Sequence, residues 1–265
     1  MEARSTEASS GAKDCRSRRC QNTWVVALAA LMTVIFPEAG GATSRCKAPQ
    51  ELLRFKAPLH HLASTLRSKK EIKIVALGSS STAGAGASGK SACYPSRLEA
   101  ELNQRYPDKH FTVLNLGVGG QLASQMLSRI GAEILREKPT LVIWQTGVND
   151  AIADVGLANF SNTLRRGTDE LTSHGIDVIL LDMQYYPRSE YMAGYRDYLN
   201  VMRDVGKEKN IPVLHRFDIM KYWVASSQFS ADELLAPDRF HANDLTYGCL
   251  ADILVDAMQD GLARD

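Results

Sequence analysis

Three hydroxyls in a row, Ser79-Ser80-Ser81, follow an apolar stretch that ends in glycine, "IKIVALG" at 72–78. A serine hydroxyl is a weak nucleophile until a base takes its proton, and histidine is the side chain best placed to do so near neutral pH. A candidate stands late in the chain, in "DRFH", where Asp238 precedes His241 by three residues. A carboxylate at that spacing can share one turn with the imidazole and fix its tautomer. Attack on an ester also needs hydrogen-bond donors for the oxyanion that forms. The N–H of Ser80, the glycine loop "NLGVGG" (115–120) with Gly120, and the Asn149 amide of "GVND" (147–150) can supply them. These residue types are the parts of a serine esterase: Ser80 as nucleophile, His241 as base, Asp238 as the acid that orients it.

Each part has an ordinary reading when taken alone. Serines after a strand cap helices, Asn-Asp is common turn chemistry, and Asp-x-x-His can be a surface ion pair. The glycines lack the spacing of a dinucleotide fingerprint, and no G-x-x-x-x-G-K-[ST] phosphate loop is present. Order and position in the fold give the four stretches their joint weight.

Strand-like and helix-like stretches alternate along the chain that carries these groups. Apolar, β-branched runs at 72–78, 111–117, 140–147, 177–184 and 212–217 predict five strands. Amphipathic stretches at 51–66, 94–106, 121–137, 159–175, 191–210 and about 244–260 predict helices. Near-continuous apolar strands alternating with helices imply an α/β three-layer α/β/α sandwich on a five-stranded parallel sheet. Ligands on such sheets bind beyond the carboxyl ends of the strands, and that is where the serines, the glycine loop and Asn149 fall.

In these blocks the chain resembles the SGNH hydrolases, also called GDSL esterases and lipases. "GSSST" is similar to the family's G-D-S-x-[ST], "NLGVGG" to N-x-G-x-x-G, "GVND" to G-x-N-D and "DRFH" to D-x-x-H. The resemblance implies a flavodoxin-like fold, a triad of Ser80, Asp238 and His241, and an oxyanion hole of Ser80, Gly120 and Asn149. Ser79 departs from the pattern, standing where the family has Asp. That Asp is outside the family's triad, so the departure bears on the hydrogen bonding of the nucleophile turn.

Other residues take supporting roles. Tyr185, Tyr186 and Arg188 follow the fourth strand and are substrate-pocket candidates, suited to a sugar or an anionic acyl group. Asp150 and Asp182 are expected to hold loops, and Trp144 to lie in the core. His215, read as a strand residue, is the one rival base, with a core role and a satisfied ring as its expected place. No cysteine has metal-ligand spacing, and neither a metal nor an organic cofactor is implied.

The chain of 265 residues has a formal net charge of +1, which excludes the basic excess of a general nucleic-acid binder. Its start differs from the rest. Basic "RSRRC" (16–20), apolar "WVVALAALMTVIF" (24–36) and small "PEAGGAT" (37–43) follow the order of a signal peptide. The apolar run falls short of the roughly 20 residues that span a bilayer. The expected organisation is a signal peptide over 1–42, an N-terminal arm and helix over 43–70, and the hydrolase domain over 71–265. The mature protein is then exported, periplasmic or secreted, with no membrane attachment after signal removal. Cys46 and Cys93 can bridge in an oxidising compartment, with Cys249 a core residue. The expected substrate is a small-molecule or glycan ester with a short acyl group. An acyltransferase acting on a glycan hydroxyl, a lysophospholipase or lipase, and a carbohydrate-binding module on an inactive hydrolase fold are the alternatives.

Overall fold

The computed structural model describes residues 46–264, so the signal segment expected over 1–42 lies outside the described residues. Five strands form one sheet in the order β2-β1-β3-β4-β5, and every neighbouring pair is parallel. They are β1 Glu71–Gly78, β2 His110–Gly117, β3 Leu141–Gln145, β4 Asp177–Leu181 and β5 Val213–Leu214. β3 and β4 are buried at every position, as strands covered on both faces must be. β2, at an edge, buries only Phe111 and Val113, and the rest of the strand is half-buried or exposed.

Parallel neighbours require crossovers, and the crossover helices form the outer layers. Helix Tyr94–Arg105, between β1 and β2, packs against the C-terminal helix Asp244–Leu262. Helix Leu157–Ser173, between β3 and β4, packs against Ala123–Leu127 and against Tyr195–Glu208. Trp144 is fully buried in the core, as expected, and its indole lies so close to Gly167 that a Cβ there would overlap the ring. The chain goes outward from β1 to β2 and then returns past β1 to β3. That reversal leaves a crevice beyond the carboxyl ends of β1 and β3, the usual ligand position in open α/β sheets.

Several expected elements are interrupted, each for a local reason. The helix expected over 51–66 is two, Gln50–Leu53 and His60–Ser68, because Pro58 cannot donate to a continuous helix and restricts the residue before it. The 121–137 helix contains a π turn at Ile130–Ile134. The 191–210 helix begins only at Tyr195, after Gly194 in the left-handed region at φ 74°. β5 is two residues long, and His215 caps a helix, Arg216–Ala225, that the apolar pattern of the sequence did not suggest.

The arm before β1 is part of the same core. Phe55, Leu59 and Leu62 are buried within it, and Leu62 N donates to the Asp177 carboxylate at 2.8 Å. The arm is fastened by a Cys46–Cys249 disulfide, with the two Cα atoms 5.4 Å apart. This corrects both cysteine expectations: Cys46 does not pair with Cys93, and Cys249 is not a simple core thiol. The reason is the path of the arm, which lies along the C-terminal helix carrying Cys249. Cys93 is instead a buried free thiol beside the turn that follows β1, and it donates to the Lys90 carbonyl at 2.9 Å.

Candidate active site

β1 delivers Gly78 to the sheet edge, and the chain turns at once into a short helix, Ser80–Ala83. A Cβ at residue 78 would collide with the Thr82 hydroxyl, so the turn depends on glycine. One amide organises it. Gln145 Oε1, from the end of β3, accepts from Ser79 N at 3.1 Å, Ser79 Oγ at 3.3 Å and Thr82 Oγ1 at 3.0 Å. A backbone N–H can only donate, so the amide oxygen must face the turn. Ser79, where the resembling family has Asp, is therefore tied into the turn through Gln145. Sequence reasoning missed Gln145. Its signal was a lone amide at the end of an otherwise apolar strand, "LVIWQ".

Ser80 Oγ lies 2.9 Å from His241 Nε2, and His241 Nδ1 lies 2.6 Å from Asp238 Oδ2. With Asp238 ionised, Nδ1 carries the proton and Nε2 is left to accept from the serine. Asp238 Oδ1 accepts the N–H groups of Phe240 at 3.0 Å and His241 at 2.9 Å, which closes the tight turn between Asp238 and His241. Burial works to raise the Asp238 pKa, but the bonds from the His241 ring and these two N–H groups outweigh it and hold the carboxyl below its usual range. Arg239, between them, takes φ 56°, a left-handed conformation that a non-glycine residue adopts at a cost. The loop is braced from outside by the Leu235–Ala242 bridge and by Ala236 N on the His241 carbonyl at 2.8 Å. Phe240 stands edge-on to the imidazole, ring centres 4.8 Å apart.

The glycine loop closes the other side. Gly117 presses against the backbone of Thr82 and Ala83 with no room for a side chain. A Cβ on Gly119 would lie 4.0 Å from the Ser80 Cβ, so the loop backbone runs directly beside Ser80. Gly120 follows at φ 78° and faces open space. Asn149, in the first turn of helix Val148–Ile152, donates to the Gln121 carbonyl at 2.9 Å, which holds its amide next to this loop. Asp150 is buried, accepts from Ala123 N and Thr146 Oγ1, and has its pKa raised chiefly by burial. It holds loops, as expected.

Beyond Asp238 opens a cleft of about 610 Å³, with Tyr186, Pro187, Arg188, Met192, Ile152 and Phe240 in its walls. Two of the three expected pocket residues, Tyr186 and Arg188, line it. Tyr185 does not, because its ring packs edge-on against Phe217 at 5.5 Å. The rival base, His215, is remote from these groups and stands beside Asp182; its Nδ1 is buried without a hydrogen bond, so its ring is not satisfied as expected. Among the described residues no cluster of three or more His, Cys, Asp or Glu has metal-site geometry, and no helix is long and apolar enough to cross a membrane.

The fold and the four blocks are those of an SGNH-type hydrolase. The chain belongs to the non-GDSL lipase-like family, whose model matches residues 45–264. It is similar to the esterase TesA of Pseudomonas aeruginosa, 29% identical over 90 residues, which cover 33% of this chain and 45% of that one. Among solved structures it resembles a two-domain esterase active on acetylated mannans (TM-score 0.66, 21% identity, 80% of this chain and 56% of the other). It also resembles a lipase/acylhydrolase from Enterococcus faecalis (TM-score 0.60, 25% identity, 73% of this chain and 96% of the other). An acetyl xylan esterase gives a TM-score of 0.59 at 21% identity, over 70% of this chain and 99% of the other. The chain thus spans about half the length of TesA and of the two-domain esterase.

Proposed function

We propose that this protein is an exported serine ester hydrolase that removes short acyl groups, carried by a carbohydrate, through an acyl-enzyme. The observation that carries the reading is the unbroken hydrogen-bond chain from Ser80 through His241 to Asp238, at 2.9 and 2.6 Å. His241 Nε2 takes the Ser80 proton as Oγ adds to the ester carbonyl. The carbonyl oxygen becomes an oxyanion held by the N–H of Ser80, the N–H of Gly120 and the Asn149 amide. Collapse breaks the bond to the alcohol, which leaves with the proton from His241. Water then repeats the sequence on the acyl-serine, giving the carboxylic acid and free Ser80. Asp238 keeps the imidazole in the tautomer that accepts from Ser80 and steadies the imidazolium.

A short acyl group and a carbohydrate alcohol are supported by the open cleft beside Asp238, whose wall of Met192, Phe240 and Arg188 combines apolar surface with hydrogen-bond donors. The acetylated-polysaccharide esterases among the structural relatives point the same way. Export is supported by the basic, apolar and small order of residues 16–43 and by the Cys46–Cys249 bridge. The test is trapping by a fluorophosphonate probe, together with hydrolysis of p-nitrophenyl acetate and release of acetate from acetylated mannan and xylan. Trapping at Ser80, with loss of both trapping and hydrolysis in Ser80→Ala, is the expected result. Full activity in Ser80→Ala would overturn the assignment of the nucleophile.

A further inference from the structure

The two halves of the triad come from opposite ends of the chain. Ser80 follows β1, and His241 sits just before the last helix, so their spacing depends on contacts between segments distant in sequence. One buried side chain touches both. Ser81 Oγ, next to the nucleophile, donates to Gln184 Oε1 at 3.0 Å. Gln184 Nε2 donates to the carbonyl of Phe240, next to the base, at 3.2 Å. Ser81 and Gln184 are each 2% exposed. Gln184 is itself fixed, because its backbone carbonyl accepts the Tyr195 hydroxyl at 2.7 Å from the following helix.

We infer that Gln184 is a positioning residue that clasps the nucleophile turn to the histidine loop and sets the distance from Ser80 Oγ to His241 Nε2. The inference rests on the reading of Ser80 and His241 given above. An amide suits this position because it offers an acceptor on one side and a donor on the other. A carboxylate could accept from Ser81 but would oppose the Phe240 carbonyl. A thioether of similar length could do neither. Farther from the reacting atoms the two segments meet again. Ser88 N and Oγ donate to the Asp244 carboxylate at 2.8 and 2.6 Å, and the Tyr247 hydroxyl donates to the Ala85 carbonyl at 2.6 Å. Gly86, at φ 86°, approaches Ala242 and His241 so closely that a Cβ would not fit. Those contacts tie residues 85–88 to the start of the last helix, whereas Gln184 joins the immediate neighbours of Ser80 and His241. Neither Ser81 nor Gln184 lines the cleft.

This placement makes a specific demand on kinetics. Loosening the clasp misaligns attack without altering the cleft, so kcat falls while KM holds. A misplacement on the scale of an ångström costs on the order of 10²-fold in rate. The experiment compares Ser81→Ala, Gln184→Met, Gln184→Glu and the Ser81→Ala/Gln184→Met double variant with the wild type. The readouts are p-nitrophenyl acetate turnover and the second-order rate of fluorophosphonate trapping, each per folded molecule as judged by circular dichroism. The expected result is a drop of about 10- to 100-fold in kcat and in trapping for Gln184→Met, with KM within about twofold. Ser81→Ala, which removes one oxygen and is the variant least able to unfold, shows a smaller drop of the same kind. The double variant is no worse than Gln184→Met alone, since both break one connection. Gln184→Glu at pH 8 falls with Gln184→Met, because its carboxylate cannot donate to Phe240. Losses that multiply in the double variant, a raised KM at unchanged kcat, or wild-type trapping in Gln184→Met would each overturn the clasp. Ser80→Ala, run alongside, separates the two failures. If Ser80→Ala is inert and the Gln184 variants are normal, only the clasp is wrong. If Ser80→Ala is active, the reading beneath it is wrong.

Discussion

Two histidine–aspartate pairs stand out among the described residues, and they are built differently. Asp238 holds His241 Nδ1 at 2.6 Å, and its side chain is 49% exposed. Asp182 lies 3.8 Å from His215 Nδ1 and its side chain is fully buried. Asp182 spends its charge elsewhere, on Arg203 at 2.9 Å and on the N–H of Phe217 at 2.9 Å, where it anchors the start of a helix. Burial raises its pKa despite Arg203, whereas hydrogen bonds lower that of Asp238. Burial likewise disfavours the protonated form of His215. The two differ in what the proposed base requires: an acid with no stronger partner, and a hydroxyl on the far nitrogen. His241 has Ser80 there, and His215 has no such hydroxyl. The second pair is a joint between β4, β5 and the helices Tyr195–Glu208 and Arg216–Ala225.

Exchanging the histidines should give the largest contrast. His241→Ala is expected to lower kcat/KM for p-nitrophenyl acetate by at least about 10⁴-fold, and His215→Ala by less than about threefold. A large loss in His215→Ala with the protein still folded would dissolve the distinction. The acids come next and should part in kind. Asp238→Asn favours the wrong tautomer and is expected to cost about 10²–10⁴ in kcat with little change in the urea midpoint. Asp182→Asn takes the buried carboxylate from Arg203, which keeps Asp218 at 2.9 Å, and is expected to cost about 1–3 kcal/mol of stability, read from urea unfolding, with kcat of the folded fraction kept.

The disulfide tests whether stability and chemistry separate away from both pairs. Cys46→Ser opens a cross-link spanning 203 residues and is expected to lower stability by about 3–5 kcal/mol while trapping of folded protein by fluorophosphonate continues at the wild-type rate. The smallest effect concerns a third acid with neither a histidine nor a helix start to serve. Asp252 has its pKa raised to about 6 by burial, with Glu101 and Asp256 adding to it. Its folded form therefore binds a proton more tightly than the unfolded chain, so stability is highest with the proton on and falls as pH rises through about 6. Asp252→Asn should raise stability at pH 8 by about 1 kcal/mol and change it little at pH 4.5, checked by thermal unfolding at both values.

Much of the site was legible in the chain. Ser80, Asn149, Asp238 and His241 were marked by residue type at strand ends, and the structure brings Ser80, His241 and Asp238 into one hydrogen-bonded line. The alternation of apolar runs and amphipathic stretches carried the parallel α/β architecture, because a strand covered on both faces has little choice but to be apolar throughout. The errors came where a contact distant in sequence decides. His215 read as a strand residue because its neighbours are apolar, but β5 ends at Leu214 where the Asp182 carboxylate begins a helix. Cys93 looked a fair partner for Cys46 until the arm was seen to follow the C-terminal helix. Tyr185 stood beside two cleft residues and turned to Phe217 instead.

Residue type and local spacing already carried the available functional groups and the periodicity of the elements. Packing settled which of two histidines meets a serine, which cysteine closed the bridge, and which amides, Gln145 and Gln184, bond to the Ser79–Thr82 turn. Those outcomes depend on distances between segments up to 203 residues apart, and such distances are fixed by packing and buried hydrogen bonds that no local pattern encodes.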